Sequence, residues 1–137
     1  MKKRILFPVS LIAGLLFSVS LLHAQDTRKV VAVINRADWC HVCQANGARL
    51  MKDVVPAFNG STVQFVLNDL TNDATKQSSK AKLEEIKVYD AVKKINATGV
   101  LLLVDAGTGK LIEKISVAEP TEKLLETIRH SAMASKM

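Results

Sequence analysis

Cysteine is scarce in this chain of 137 residues, with Cys40 and Cys43 the only two present. Because there is no third cysteine, neither can belong to a disulfide framework of the kind that staples small secreted domains. A bond between them would close a very short loop and would remove little conformational entropy from the unfolded chain. A purely structural role is therefore a poor explanation for the pair.

Aromatic residues and clustered charge are also scarce. Aromatics make up 4% of the chain, which argues against a platform for stacking nucleic-acid bases. The formal net charge is +6, and loss of Lys2, Lys3 and Arg4 with the leader described below lowers it to +3. The remaining lysines are interspersed with acids such as Glu84 and Glu122, without a dense basic stripe. We therefore expect no nucleic-acid partner.

The first 24 residues have the pattern of a secretory signal peptide. A basic start at residues 1–4 precedes an apolar run at residues 5–22, and Ala24 provides a small residue before the polar chain begins at Gln25. The alternative is an uncleaved N-terminal anchor, because the run is near the lower length limit for a spanning helix. Both interpretations place residues 25–137 on the exported side, in the periplasm or outside the cell, where disulfides persist.

The remaining 113 residues suit one small domain with one core. Apolar and β-branched runs predict four strands, at residues 29–35, 62–68, 99–104 and 110–117. Helical spacing predicts three helices, which lie between Cys40 and Phe58, from about residue 74 to 95 behind a cap at Asn72-Asp73, and after Pro120.

The order of these elements predicts the architecture. Two strand–helix units predict parallel neighbours, and the turn at residues 105–109 predicts an antiparallel hairpin. The order β-α-β-α-β-β-α therefore predicts an α/β fold in which helices flank both faces of a mixed four-stranded sheet.

A resemblance to a known family arises at Trp39-Cys40-His41-Val42-Cys43. A strand leads directly into this motif, and the motif opens a helix. In these features and in its element order, the chain resembles the thioredoxin superfamily over about residues 29–129. The resemblance implies a minimal thioredoxin-like fold without the first strand and helix of thioredoxin itself. It also implies an exported thiol–disulfide oxidoreductase that needs no cofactor and no resident metal.

Four positions depart from the family pattern. Gly99 occupies the place where family members usually have a cis-proline facing the cysteines, and Ile34 replaces a buried acid in the preceding strand. Ala48 replaces the usual proline of the motif helix. Oxidising relatives often carry histidine just before the second cysteine, whereas here His41 follows the first and Val42 takes the other position. The resemblance therefore supports the fold and the redox pair better than any subtype.

The two cysteines are the predicted catalytic residues. At a helix N-terminus, free N–H groups and the helix dipole would favour a Cys40 thiolate. We expect Cys40 to be exposed and to attack a substrate disulfide, forming a mixed disulfide. We expect Cys43, one turn further on and more buried, to resolve that intermediate.

Four neighbouring residues have predicted roles with simpler alternatives. Trp39 would offer an apolar docking surface, or would only pack against the domain. By the resemblance, backbone groups of Thr98 and Gly99 would bind a substrate peptide, or they simply begin a strand. A His41 cation would lower the pKa of the thiolate, or His41 is a plain exposed turn residue.

The leading functional hypothesis is disulfide exchange with cysteine-containing protein substrates, with reduction slightly favoured over oxidation. The partner would be an electron donor or acceptor in the membrane or the exported compartment, and we expect the chain to act as a monomer. Two alternatives stay open. The thiols and His41 could bind or deliver a soft metal ion such as Cu(I) or Zn²⁺. The chain could also be a non-catalytic thioredoxin-fold binding module.

Overall fold

The computed structural model describes residues 27–135. The predicted signal peptide or anchor, residues 1–24, lies outside the described residues, as does the predicted start of the domain at residue 25. The elements follow one another as β1 (Val30–Arg36), α1 (His41–Arg49), β2 (Val63–Asp69), α2 (Asp73–Glu85), α3 (Tyr89–Val92), β3 (Val100–Asp105), β4 (Leu111–Ser116) and α4 (Thr121–Ala134). The predicted order of strands and helices is confirmed, with the second helix divided into α2 and α3.

The four strands form one mixed sheet in the order β2-β1-β3-β4. β1 runs parallel to β2, as the first strand–helix unit predicts, and β4 pairs antiparallel with β3. The prediction that the second unit also gives a parallel neighbour is wrong, because β3 is antiparallel to β1. The chain leaves β2 and enters β3 at the same end of the sheet, since Arg36 pairs with Asp69 and Asn35 with Val100.

Helices cover both faces of this sheet. Alternate residues of β1 point to opposite sides, so Ala32 faces one core and Val33 the other. The first core is closed by the chain that follows α1 and by α4, and the second by α2, α3 and the residues beside them. Because β1 is buried on both faces, it reads as a continuous apolar run. The predicted apolar stripe of the second helix is core, as the burial of Leu83, Val88 and Val92 shows.

The first predicted helix is regular only as far as Arg49. It continues as a π-helical turn, Leu50–Val54, and a 3-10 turn, Val55–Phe58. Pro56 lies in the first turn of the 3-10 segment, where its missing N–H removes no helical bond. The segment ends at Asn59-Gly60 as predicted, with Gly60 at a φ of 73°.

The second predicted helix begins as expected and ends early. Asn72 caps α2 in a reciprocal capping box with Thr75. The helix does not continue to Ile95, because Lys87 adopts a φ of 61°. The Lys87 N–H then bonds the Glu84 carbonyl and the Val88 N–H bonds the Leu83 carbonyl, which is the hydrogen-bond pattern of a Schellman cap.

Arg49 ties the end of α1 to the start of α4. Its guanidinium donates to the carbonyl oxygens of Val117 at 2.7 Å and Glu119 at 3.0 Å, and to the Thr121 hydroxyl at 2.9 Å. This clamp sets α4 beside the motif helix. Within residues 27–135, α4 is the longest helix, and none of the helices there has the length and apolar character needed to cross a bilayer.

Candidate active site at the start of the first helix

The two cysteines form a disulfide at the N-terminus of α1. Cys40 is the N-cap residue, with an extended backbone, and its carbonyl accepts the first helical bond from Gln44 N–H at 3.0 Å. The Cys40 sulfur itself accepts a hydrogen bond from the Cys43 N–H at 3.1 Å. Negative charge on a sulfur in this position is stabilised, because the sulfur faces an N–H group that has no carbonyl partner within the helix.

The exposure of the two sulfur-bearing residues is the reverse of the prediction. Cys40 is only 6% exposed, whereas Cys43 is partly exposed. The expectation of an exposed first cysteine and a more buried second one is therefore wrong for the disulfide form. The physical reason is that Gly99, in the loop preceding β3, packs against Cys40, whereas Cys43 lines an open cavity.

Gly99 lies directly against Cys40. A Cβ built on Gly99 would stand 3.5 Å from the Cys40 sulfur and 2.8 Å from a methyl carbon of Val42. The φ of Gly99 is 72°, in the left-handed region that glycine adopts without strain. Thr98 precedes it in the same bend and is half-buried. The loop therefore passes the motif at van der Waals distance, where only a residue without a side chain fits.

A buried asparagine, missed by sequence reasoning, holds this loop. Asn35 is fully buried, and its side-chain amide donates to the carbonyls of Ile95 at 3.0 Å and Ala97 at 3.1 Å. Its side-chain oxygen accepts from Asn68 at 2.8 Å, and its backbone carbonyl accepts from the Gly99 N–H at 2.8 Å. The signal was present in the sequence, because a polar residue ends an otherwise apolar strand just before the motif.

Trp39 stands beside the disulfide and is 59% exposed. Its indole N–H donates to the Thr71 carbonyl at 3.2 Å, and the Thr71 hydroxyl accepts from the Asp38 N–H at 2.9 Å. Thr71 is in turn held by Asp69, which also pairs with Arg36 at 2.7 Å. Arg36 bonds Asp38 as well. The ring is thus anchored at its nitrogen while much of its surface faces solvent.

The surroundings of the Asp69 carboxyl favour its charged form. Burial alone would raise its pKa, but hydrogen bonds from the hydroxyl and N–H of Thr71, together with the Arg36 charge, lower the pKa below the ordinary value of an aspartate. The hydrogen bond to Asp38 is the largest influence raising the pKa of Arg36, so that this guanidinium stays charged. Both shifts favour the charged forms of Asp69 and Arg36, which hold the Trp39 segment in place.

An apolar cavity of about 270 Å³ opens on the Cys43 side of the motif. Asn35 and Arg36 give it a polar corner, and Gly47 of α1 forms part of its wall. The other residues that line it are Ile34, Cys43, Leu50, Met51, Leu67, Gly99 and Val117. Two of these, Met51 and Leu67, are large apolar residues that are exposed, so the cavity communicates with solvent. A larger hollow of about 770 Å³ lies along β2 and contains neither cysteine.

No protein-family model and no curated protein sequence matches the chain. Solved structures do match it. The X-ray structure of thioredoxin from Fasciola hepatica superposes with a TM-score of 0.50 at 17% identity, covering 77% of this chain and 85% of that one. The structure of the oxidoreductase DsbH superposes with a TM-score of 0.54 at 14% identity, covering 81% of this chain and 77% of that one. The chain has the thioredoxin fold.

Within the thioredoxin fold, Ile34 and His41 occupy contrasting positions. Ile34 is buried and lines the cavity beside Cys43, so the place where the family carries a buried acid is apolar here. His41 is exposed as the first residue of α1. Its predicted effect on the thiolate stays a prediction.

The donor set around the cysteines is small. Across residues 27–135, no three side chains drawn from histidine, cysteine, aspartate and glutamate are grouped closely enough to hold a metal ion. A soft ion at the reduced pair would find two sulfur ligands and would need its remaining ligands from elsewhere. The arrangement is suited to the formation and breakage of a sulfur–sulfur bond.

Proposed function

We propose that this protein is an exported thiol–disulfide oxidoreductase that exchanges disulfides with cysteine-containing proteins through Cys40 and Cys43. The observation that carries the proposal is the disulfide at the N-terminus of α1, in which the Cys40 sulfur accepts the Cys43 N–H. That hydrogen bond and the helix dipole favour the thiolate that exchange requires. The thioredoxin fold supports the proposal, as does the exposed Trp39 that precedes the pair.

The proposal includes a direction, a compartment and partners. Reduction is favoured slightly over oxidation, because a single compact domain without an inserted helical domain resembles the reducing members of the family. Export rests on the signal-like pattern of residues 1–24. Trp39 and the backbone groups of Thr98 and Gly99 would receive a peptide, and a membrane-bound or exported protein would return the electrons. We propose that the chain acts as a monomer.

The test is a redox titration of the full chain. The protein is equilibrated in glutathione buffers, alkylated with a mass-shifting maleimide and resolved by gel mobility. A single two-electron transition is expected, together with reduction of insulin disulfides by dithiothreitol that is faster with the protein than without it. The doubly substituted Cys40→Ser, Cys43→Ser protein serves as the inactive control, and His41→Ala tests the predicted influence on the thiolate. A pair that stays locked across all buffers would contradict the proposal.

A second experiment addresses export. The full chain is expressed in a bacterial host, and the soluble periplasmic fraction is analysed by N-terminal sequencing. A mature chain that begins at Gln25 is expected. A chain that keeps residues 1–24 and stays with the membrane would support the anchor instead, and a cytoplasmic chain would contradict export.

A further inference from the structure

Trp39 is held by two hydrogen bonds that end on the same residue. Its indole N–H donates to the Thr71 carbonyl at 3.2 Å, and the N–H of Asp38, the residue before it, donates to the Thr71 hydroxyl at 2.9 Å. Thr71 therefore accepts one bond from the ring and another from the backbone that carries the ring. Together these two bonds restrict both the position and the orientation of the indole.

The Thr71 hydroxyl is oriented by Asp69. A hydroxyl has one proton to donate and lone pairs that accept. Here the proton goes to the Asp69 carboxylate at 2.5 Å, and the hydroxyl oxygen accepts the Asp38 N–H with a lone pair. The same carboxylate oxygen of Asp69 also accepts the Thr71 N–H at 2.9 Å. Asp69 thus holds Thr71 in the orientation that Trp39 and its backbone require.

An ion pair connects this network to the sheet. Arg36 donates to the other carboxylate oxygen of Asp69 at 2.7 Å and also bonds the Asp38 side chain. Arg36 and Asp69 are directly paired at the ends of β1 and β2. The segment between β1 and α1 is therefore tied to the end of β2 by side chains from both strands.

The ring that the network holds presents an open apolar surface. Trp39 is 59% exposed, and its only polar atom, the indole nitrogen, is already bonded to Thr71. An exposed tryptophan is the type of side chain that contributes most to protein binding. Binding costs less entropy when such a side chain is ordered beforehand. A ring that is already fixed therefore binds a protein substrate more tightly than a mobile ring would.

We infer that Thr71 and Asp69 are positioning residues, which hold the Trp39 ring in the orientation in which it contacts the protein substrate. The inference rests on the proposed function and assigns it two residues outside the cysteine motif. Because the network acts on the binding of a polypeptide, its loss should weaken the use of a protein disulfide. A small disulfide, which needs no such contact, should react as before.

The test compares these two kinds of substrate. Dithiothreitol supplies electrons to the full chain while the insulin concentration is varied, and the rate without the protein is subtracted. Thr71→Val removes the hydroxyl and keeps the shape of the side chain, so KM for insulin should rise about fivefold with kcat within about twofold. Thr71→Ser keeps the hydroxyl and should have the KM of the unsubstituted protein. The reduced Thr71→Val protein should react with glutathione disulfide at a rate within about twofold of the unsubstituted rate.

The motion of the ring can be measured separately. Trp39 is the only tryptophan of the chain, so tryptophan fluorescence reports on this ring alone. Fluorescence anisotropy should decay faster on the nanosecond timescale in Thr71→Val than in Thr71→Ser. Asp69→Ala leaves the Thr71 hydroxyl without its acceptor, so it should loosen the ring and raise KM for insulin in the same way. This variant provides the same test if Thr71→Val does not fold.

Trp39→Ala shows whether Thr71 acts through the ring. By itself it should raise KM for insulin at least as much as Thr71→Val does. In the Trp39→Ala background, adding Thr71→Val should change KM by less than about twofold, because the ring that Thr71 positions is gone. Fully additive effects, or a mobile ring with an unchanged KM, would overturn this inference and leave the proposed function intact. An unsubstituted protein that reduces neither insulin nor glutathione disulfide would overturn both.

Discussion

The two ends of the sheet use buried polar groups for different purposes. At the motif end, Asn35 and Asn68 are buried and bond to each other, and Asn35 holds the loop that carries Gly99 over Cys40. At the opposite end, Asp105 accepts the N–H groups of Gly107 and Thr108 within the β3–β4 turn. Its other carboxylate oxygen accepts the hydroxyl of Ser135, just after α4.

The two clusters have similar burial and a similar number of hydrogen bonds, yet they support different backbone. Asn35 positions a loop that touches the Cys40 sulfur. Asp105 closes a hairpin turn and fixes the end of a helix, both at the far end of the sheet from the disulfide. We therefore expect losses at the motif end to alter both stability and chemistry, and losses at the opposite end to alter stability alone.

The largest effect is expected at Asn35. Asn35→Leu removes donors to two carbonyls and the acceptor for Asn68, and should lower the free energy of unfolding by about 3 kcal/mol. Release of the loop should also change the rate at which the disulfide exchanges with glutathione. Urea unfolding of the oxidised protein measures the first effect, and a glutathione exchange assay measures the second. A variant that loses stability without any change in exchange rate would break the comparison between the two ends.

Asp105→Ala should cost about 2 kcal/mol, because two turn amides and one hydroxyl lose their charged acceptor. Urea unfolding again measures the loss. The rate of exchange with glutathione at a fixed pH should stay that of the unsubstituted protein. A slowed exchange in a folded variant would show that the far end of the sheet reaches the disulfide after all.

Lowering the pH should also reduce the free energy of unfolding, through protonation of Asp105. Burial opposes its charge, but the hydrogen bonds from Thr108, Ser135 and Gly107 prevail and lower the pKa of this carboxyl in the folded state. A lowered folded pKa contributes stability above the unfolded value of about 4, and that stability is lost as the pH falls through the folded pKa. Asp105→Asn should therefore lie below the unsubstituted protein by about 1 kcal/mol at pH 6, and by less at pH 2. Equal gaps at both pH values would contradict this assignment.

The smallest effect is expected at Gly47. Gly47→Ala should raise the free energy of unfolding by about 0.8 kcal/mol, because alanine is the better helix former and its Cβ meets no atom within 4 Å. The gain comes from the unfolded chain and from the helix, without any new polar contact. Thermal unfolding would detect it as an increase of a few degrees in the midpoint temperature. A loss of stability would show that the cavity wall does not tolerate even one added carbon.

Local patterns predicted most of the fold because they match the packing. The β-branched run in β1 is buried on both faces, and Asn72 starts α2 by the capping chemistry that its side chain allows. The break after α2 could not be predicted in the same way. A Schellman cap usually ends in glycine, and here Lys87 takes the left-handed conformation without any sequence signal for it. After this break the chain turns back toward the motif end of the sheet, where β3 begins. The antiparallel direction of β3 follows from that turn, and it was missed together with the break.

The sequence predicted the cysteine pair of the site but not the residues that pack around it. The spacing of Cys40 and Cys43 predicts a disulfide at a helix start, which is what the structure shows. The burial of each cysteine depends on the loop at Gly99 and on the cavity beside Gly47, both of which are produced by residues distant in sequence. Arg49 was missed for the same reason, since its partners are about 70 residues away along the chain.

The hydrogen bond from the Cys43 N–H to the Cys40 sulfur links the oxidation state of the pair to the folding of the protein. Reduction turns the acceptor from a neutral disulfide sulfur into an anion, and an amide bonds an anion more strongly. In a closed thermodynamic cycle, that gain appears once as extra stability of the reduced fold and once as a shift of the reduction potential. Every 1.4 kcal/mol of preference for the thiolate makes the pair more oxidising by about 30 mV. A single backbone amide in the first turn of this helix therefore helps to set the reduction potential of the pair.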